Sequence, residues 1–301
     1  MTVRNVLVTG ATGFIGSRLV PALLQAGHRV RCLVRRPDAH LPEGAEPVVG
    51  DLLEPAGLER ALAGIDTAYY LVHSMGGGRA GFERRDREAA EHFVAAAGRA
   101  ALRRAIYLGG LGETGGGLSG HLASRREVAE ILRSGPFATT FLRAAVIIGA
   151  GGASYEIIRS MVERLPVMIT PRWVSTRCQP IAVGDVIRYL AGCLADERTA
   201  GETFDIGGPE ILSYREMMER FGRIAGRQPF IVPVPVLTPK LSSYWVGLVT
   251  PVKPSISMPL IEGLKNEVVC RDDRIRSLIP FPLTTFDRAV EIALAEGKES
   301  A

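Results

Sequence analysis

The sequence predicts an α/β fold, a doubly wound parallel sheet with a smaller C-terminal lobe. Three observations predict it. Short apolar runs alternate with helical patterns through the first half of the chain. Parallel strands read this way, because each crossover between them needs a helix and is right-handed. The first apolar run, Val6-Leu7-Val8, breaks into Gly10, Gly13 and Gly16 at spacing G-x-x-G-x-x-G, ahead of a helical pattern in Ser17, Arg18, Leu19, Val20, Leu23 and Leu24. After Ile148-Gly149 the rhythm changes to short elements and prolines, which marks a second lobe. A chain of 301 residues, 47% of them apolar, is long enough to bury a large core and carry that lobe.

The elements follow in order. Gly27-His28 turns the first helix into a second strand over residues 29–34, which begins with polar–apolar alternation and exits in Arg35-Arg36-Pro37. Residues 47–51 read as a third strand with a polar exit, and 58–62 as a short helix. Residues 67–72 form a fourth strand, almost wholly apolar, as a parallel strand covered on both faces should be. It runs into His73-Ser74 and the cluster Gly76-Gly77-Gly78. Across residues 82–100, Ala89, Ala90, Phe93, Val94 and Ala97 recur at helical spacing. A fifth strand over 105–108 ends in Gly109-Gly110-Leu111, and a Gly-rich loop spans 112–117. Residues 119–133 are helical and 139–143 a sixth strand. Residues 181–183, 186–194 and 203–206 resemble a return to the first domain, and 214–225 a second-lobe helix capped by Ser213. The tract 233–259 is Pro-rich and apolar.

The glycine-marked turn carries the first chemical expectation. A strand, a tight turn and a helix N-terminus form the start of a dinucleotide-binding βαβ unit. Gly10 would allow the sharp turn, Gly13 would leave the backbone bare for a pyrophosphate, and Gly16 would let the helix lie close on the strand. Free N–H groups at the helix start would hold the phosphates. The exit of the second strand then selects the nucleotide. NAD sites put a carboxylate there, about 20 residues past the glycines, which would repel a 2′-phosphate. Here the position carries Arg35, followed by Arg36, and guanidinium forks match phosphate geometry. The cofactor expected is NADP(H), with NAD(H) as the lesser alternative. Asp51 either bonds the adenine amino group or caps a turn.

Other classes are excluded or left without support. Lys+Arg 36 against Asp+Glu 32 gives a net charge of +4, and the pairs Arg35-Arg36, Arg84-Arg85 and Arg103-Arg104 are scattered, so no nucleic-acid footprint forms. Cys32, Cys178, Cys193 and Cys270 make neither a CxxC pair nor a metal-ligand cluster, so no metal is expected and buried free thiols fit a reducing cytoplasm. No signal pattern opens the chain and no apolar run is long enough to span a bilayer.

On TGATGFIG, the LVRRP exit, the GD after the third strand and YLGG in the fifth, the chain resembles atypical or extended members of the short-chain dehydrogenase/reductase superfamily, with a Rossmann sheet. HLASRREVAEIL, RAAVIIG, PRWVSTRCQPIAVGDV, FDIGGPE–SYREM and SSYWVGLVTPV narrow the resemblance to an NAD(P)H-binding subgroup of the YbjT type, related to NmrA-like proteins and to the dehydrogenase-like accessory subunit of mitochondrial complex I. The resemblance implies nucleotide contacts from Gly10, Thr12, Gly13, Phe14, Ile15 and Gly16 in the turn. It adds Arg35, Arg36, Asp51 and Leu52 at the second and third strands, and Leu71, Val72 and His73 after the fourth. Gly109, His121, Arg125, Ala144 and Ala145 complete the set. Arg177 to Pro180 would lie near the substrate.

One departure matters. Active members carry Tyr-x-x-x-Lys on the helix after the fifth strand, where the lysine lowers the tyrosine pKa. Register places His121 at the tyrosine and Arg125 at the lysine. Histidine does acid–base work near neutral pH, and a neighbouring arginine favours the neutral ring. His121 is therefore a proton donor, a ribose or nicotinamide contact, or a helix N-terminal residue. His28 and His40 fall in turns and His92 on a helix surface.

These readings give residues 1–148 as the NAD(P)-binding domain, with 181–206 and 268–295 returning to it, and 149–180 and 207–267 as a substrate lobe. The expected function is an NADP(H)-binding oxidoreductase moving hydride to or from a small apolar carbonyl or quinone-like compound. The rival is a non-catalytic NADP(H) sensor or assembly factor. The partner expected is that small molecule, with neither nucleic acid nor a transmembrane segment; peripheral membrane contact, and monomer or homodimer, stay open. Leu237, Leu241, Tyr244, Trp245 and Leu248 would wall the cleft with apolar side chains, form a docking face for a membrane surface or partner, or pack against the second lobe as ordinary core.

Overall fold

The computed structural model describes residues 2–73, 79–111, 120–234 and 266–299. Its strands are β1 (Asn5–Thr9), β2 (Arg29–Val34), β3 (Glu46–Val49), β4 (Thr67–Tyr70), β5 (Arg104–Gly110), β6 (Ala138–Ala144), β7 (Ile147–Ile148), β8 (Val167–Pro171), β9 (Arg177–Cys178), β10 (Ile181–Ala182), β11 (Thr203–Ile206), β12 (Leu212–Ser213) and β13 (Phe230–Val234). The helices are α1 (Gly16–Gln25), α2 (Pro55–Leu62), α3 (Arg79–Arg99), α4 (Gly120–Arg133), α5 (Ala153–Arg164), α6 (Val183–Ala195), α7 (Tyr214–Ile224), α8 (Arg274–Leu278) and α9 (Phe286–Glu299). Among the described residues, seven strands form one sheet in the order β11-β6-β5-β4-β1-β2-β3. Every pairing in it is parallel, which is the doubly wound sheet the alternation predicts.

Side chains alternate across that sheet with the period of two that a pleated strand imposes. Val6, Val8, Val30, Cys32, Tyr69, Ile106, Leu142 and Phe204 face one way, against Leu19, Val20 and Leu23 of α1 and Val186 and Leu190 of α6. Leu7, Leu33, Ala68, Tyr70, Ala105, Tyr107 and Phe141 face the other way, against Leu58 of α2, Phe93 of α3 and Leu132 of α4. A third cluster joins Val146 and Ile148 to Tyr155 and Met161 of α5, Met217 and Phe221 of α7, and Phe286 and Val290 of α9.

Three departures from the sequence reading have local causes. The third strand stops at Val49: after a last ladder bond from the Gly50 N–H to the Val34 carbonyl (2.9 Å), the chain turns at Asp51, whose carbonyl takes the Glu54 N–H (3.0 Å). The fourth stops at Tyr70 because the Leu71 N–H goes to the Thr9 side-chain hydroxyl (3.1 Å) instead of to a backbone carbonyl of β1. The stretch 268–295 divides between the two cores: Ile275, Leu278, Ile279 and Phe281 pack on the α1 side of the main sheet, whereas Phe286, Ala289, Val290 and Ala293 pack with α5 and α7. Residues 235–265, and with them Leu237, Leu241, Tyr244, Trp245 and Leu248, lie outside the described residues. No described helix is long and apolar enough to cross a membrane.

Candidate functional site

The C-terminal edge of a parallel sheet is where the strand-to-helix turns leave a crevice. The described candidate residues come together along that edge, because β1, β2, β4, β5 and β6 all end there.

The glycine turn is set by backbone. Gly10 sits at φ +70°, and a Cβ there would stand 2.7 Å from the Leu71 carbonyl oxygen. Only a residue without a side chain takes that conformation against that neighbour at little cost. A Cβ on Gly16 would stand 2.2 Å from the Gly10 oxygen and 2.7 Å from the Ala11 Cα, so this glycine packs the start of α1 onto the turn itself rather than onto the strand. A Cβ on Gly13 would meet only the Gly10 oxygen, at 3.2 Å, among the described atoms. Its outer face is bare, which fits the approach of a pyrophosphate. The donors differ from expectation. The N–H groups of Gly13, Ser17, Arg18 and Leu19 bond inside the turn, to the carbonyls of Gly10, Gly13, Ile15 and Ile15. A phosphate held here would therefore meet N–H groups of the turn before the helix, at Thr12, Phe14 and Ile15, rather than those of its first full turn.

Two residues at the neighbouring strands behave differently. Arg35 is exposed directly after β2, while Arg36 lies 4.0 Å from Asp38 with both side chains in solvent. Asp51 caps a turn: its Oδ1 accepts the Leu53 N–H at 3.0 Å and its carbonyl the Glu54 N–H at 3.0 Å. Leu52 is buried in the core, and its carbonyl accepts from the Nδ1 of His92 at 3.2 Å, so His92 is partnered and half-buried rather than solvated. Leu71, Val72 and His73 follow β4, half-buried, with the His73 ring edge-on to Tyr107 at 5.9 Å between centroids.

At the heads of β5 and β6, Gly109 and Gly110 pair in register with Arg143 and Ala144. Ala144 is buried and Ala145 half-buried against the third cluster. Arg125 lies on α4 above Tyr107, whose hydroxyl donates to the Arg125 carbonyl at 3.4 Å. The Arg125 Nε is buried with no hydrogen-bond partner among the described residues. His121 stands in the first turn of α4, and its side chain lies outside the described atoms. No His, Cys, Asp and Glu group with metal-binding geometry occurs among the described residues, and the four cysteines are free.

Four residues were missed by sequence reasoning. Asp86 is buried on α3, within 3.4 Å of the Ser124 hydroxyl on α4. Burial, then Tyr107, then Asp86 push the Tyr70 phenol well above its ordinary range. The signal was present: Asp86 sits on the same helical stripe as Ala90, Phe93 and Ala97. Arg143 pairs with buried Asp205 on β11 at 2.6 Å, a charge between the buried apolar Phe204 and Ile206. Gln179, in the segment implied to lie near substrate, is buried as a clamp: its Nε2 donates to the Gly208 carbonyl at 2.7 Å and its Oε1 accepts the Cys270 N–H at 3.1 Å. Arg18 bridges the glycine turn to the second lobe through the Ala150 carbonyl at 2.9 Å.

Comparison with known proteins points to the same class of cofactor. The sequence profile of a family described as NAD(P)H-binding matches residues 10–162. Divinyl chlorophyllide a 8-vinyl-reductase of Oryza sativa subsp. indica is 30% identical over 252 residues, covering 77% of this chain and 61% of the plant protein. Ceramide reductase of Caulobacter vibrioides is 30% identical over 238 residues, covering 76% of this chain and 73% of that protein. The chain thus spans about three-fifths of the length of the plant reductase. A short-chain dehydrogenase/reductase superfamily protein of Agrobacterium tumefaciens, solved with bound NAD, superposes with a TM-score of 0.72 over 99% of this chain and 98% of its own at 19% identity, a likeness of fold.

Proposed function

The chain belongs to the NAD(P)H-binding family, and from that premise we propose that it is an NADP(H)-dependent oxidoreductase acting on an apolar, small carbonyl or quinone-like compound. The observation that carries the reading is Arg35, free in solvent where β2 ends at the sheet edge, with no carboxylate in its place. The names of the plant and Caulobacter relatives, both reductases, support hydride chemistry. The nicotinamide supplies the hydride when the nucleotide is bound. This chain's residues do the rest. Thr12, Phe14 and Ile15 would hold the pyrophosphate by their N–H groups, and Arg35 the 2′-phosphate. Gly109, Ala144 and Ala145 would wall the nicotinamide end. His121 would hold or receive a proton at the substrate oxygen, with Arg125 one helical turn on favouring the neutral ring.

The test compares NADPH and NADH binding to wild type and Arg35→Ala, beside NADPH consumption against quinones and aldehydes. Losing a charge-assisted contact should weaken NADPH by about 1.5–3 kcal/mol, roughly tenfold to a hundredfold, and leave NADH unmoved. Equal wild-type affinities would remove the NADP assignment. Turnover that falls on the order of 10²–10⁴-fold in His121→Ala at constant NADPH affinity fits a proton donor. Tight NADPH binding with no turnover across the panel would make the protein a nucleotide sensor instead.

A further inference from the structure

Arg18 has no place in the nucleotide contacts above, yet it is the most connected side chain of the turn. One step into α1, it donates from Nη1 to the Phe14 carbonyl at 3.1 Å and from Nη2 to the Ala150 carbonyl at 2.9 Å and to Glu296 on α9 at 3.0 Å. Its guanidinium lies over the Phe14 ring, 4.9 Å from the centroid. The ring in turn reaches the second lobe, where a Cβ on Gly152 would stand 2.7 Å from it.

The backbone gives this a direction. In a regular helix the Phe14 carbonyl would accept the N–H four residues on, that of Arg18. That N–H goes instead to the Ile15 carbonyl at 3.1 Å, and the Arg18 side chain takes over the vacated acceptor. The Phe14 C=O and the Ile15 N–H belong to one planar trans peptide and point opposite ways. Holding the carbonyl toward the body of α1 aims the Ile15 N–H outward from the helix start, where anions bind.

We propose that Arg18 is a positioning residue, which orients the Phe14–Ile15 peptide for the dinucleotide pyrophosphate and couples that peptide to the second lobe through Ala150 and Glu296. The proposal rests on the nucleotide reading above. It predicts that a side chain on α9, in the other lobe, tunes affinity for the pyrophosphate and not for the rest of the nucleotide.

Wild type, Arg18→Met and Glu296→Gln are titrated with NADPH and with 2′-AMP, which carries the 2′-phosphate but no pyrophosphate. Arg18→Met keeps the length over the Phe14 ring and removes every donor. It should lose roughly tenfold in NADPH affinity with 2′-AMP unchanged. Glu296→Gln, which leaves the Arg18–Phe14 bond possible, should lose a smaller factor, again for NADPH alone. Equal losses for both probes would make Arg18 a scaffold residue and overturn the proposal, as would unchanged NADPH affinity in folded Arg18→Met. Should Arg18→Met fail to fold, Glu296→Gln decides: an NADPH-only loss upholds the coupling and no change overturns it. A wild type that binds neither probe overturns the nucleotide reading, and the proposal with it.

Discussion

The two sides of one sheet edge, to either side of the central β4, are built on opposite principles. At the head of β1 the chain is stripped to backbone: Gly10 turns at φ +70°, and a Cβ at Gly16 would stand 2.2 Å from the Gly10 oxygen. At the heads of β6 and β11 the edge is filled with charge. Asp205 is buried, takes the Arg143 guanidinium at 2.6 Å, and accepts N–H bonds from Arg271 at 2.9 Å and Asp272 at 3.3 Å. The first side leaves polar backbone facing a crevice. The second is bridged to the returning chain, whose Arg271 and Asp272 N–H groups bond Asp205. A site on a doubly wound sheet is thus the part of the edge that the protein's own side chains do not close.

That contrast breaks if either side answers to the other's probe. The largest effect is expected at the filled side. Asp205→Ala strands a partly buried guanidinium and two N–H groups, and should cost about 3–5 kcal/mol of unfolding free energy while NADPH affinity in the folded fraction stays put. Urea unfolding with and without nucleotide measures both; a nucleotide-specific defect would erase the distinction. At the open side, Gly10→Ala forces a side chain into a left-handed conformation and against the Leu71 carbonyl. It should cost about 1–3 kcal/mol and abolish nucleotide binding, read by NADPH fluorescence. Binding that survives would show the turn to be looser than its contacts imply. The smallest effect lies away from both sides, in the capping box of α7, where Ser213 accepts the Glu216 N–H at 3.2 Å and Glu216 accepts from the Ser213 N–H at 2.7 Å. The Ser213 N–H first, and then the Ser213 hydroxyl donating to the same carboxylate oxygen at 2.7 Å, hold the Glu216 carboxyl below its ordinary range. A carboxyl lowered in the folded state stabilises above its unfolded pKa and loses that contribution as pH falls through the folded one. Ser213→Ala should therefore cost about 1 kcal/mol at neutral pH and less in acid, with nucleotide affinity unchanged throughout. A pH-independent penalty would separate the cap from the carboxylate.

Legibility in the sequence follows the same divide. The glycine turn was readable because its parts are neighbours: a turn, a bare backbone and a helix start occupy Gly10 to Gly16. The parallel, doubly wound character of the sheet was readable from alternation, since each parallel crossover needs a helix. The Ser213 cap was readable for the same local reason. Arg143 and Asp205 lie 62 positions apart and Arg18 and Glu296 lie 278 apart, and no local pattern pairs them. The role of Gln179 also escaped, and that of Asp51 stayed open between ligand and cap, because a carboxylate or an amide that caps or clamps looks in sequence like one that binds. Asp86 was the exception: a carboxylate on the apolar stripe of a helix is a visible anomaly.

The third cluster has a consequence for the order in which the chain is made. Its members run from Leu111 through residues 146–182, 212–231 and Val268 to, last, Phe286, Ala289, Val290 and Ala293. During synthesis α5 and α7 leave the ribosome well before α9, so Tyr155, Met161, Met217 and Phe221 lack their final partner until more than sixty further residues have followed. The opposite face of the main sheet has no such wait, because Leu7, Phe93 and Phe141 all belong to the first half of the chain. Vectorial folding should therefore leave a period in which the sheet is formed and the second lobe still presents its apolar interior, the state a chaperone would recognise. A chain arrested at residue 284 should bind a hydrophobic dye that the full chain excludes.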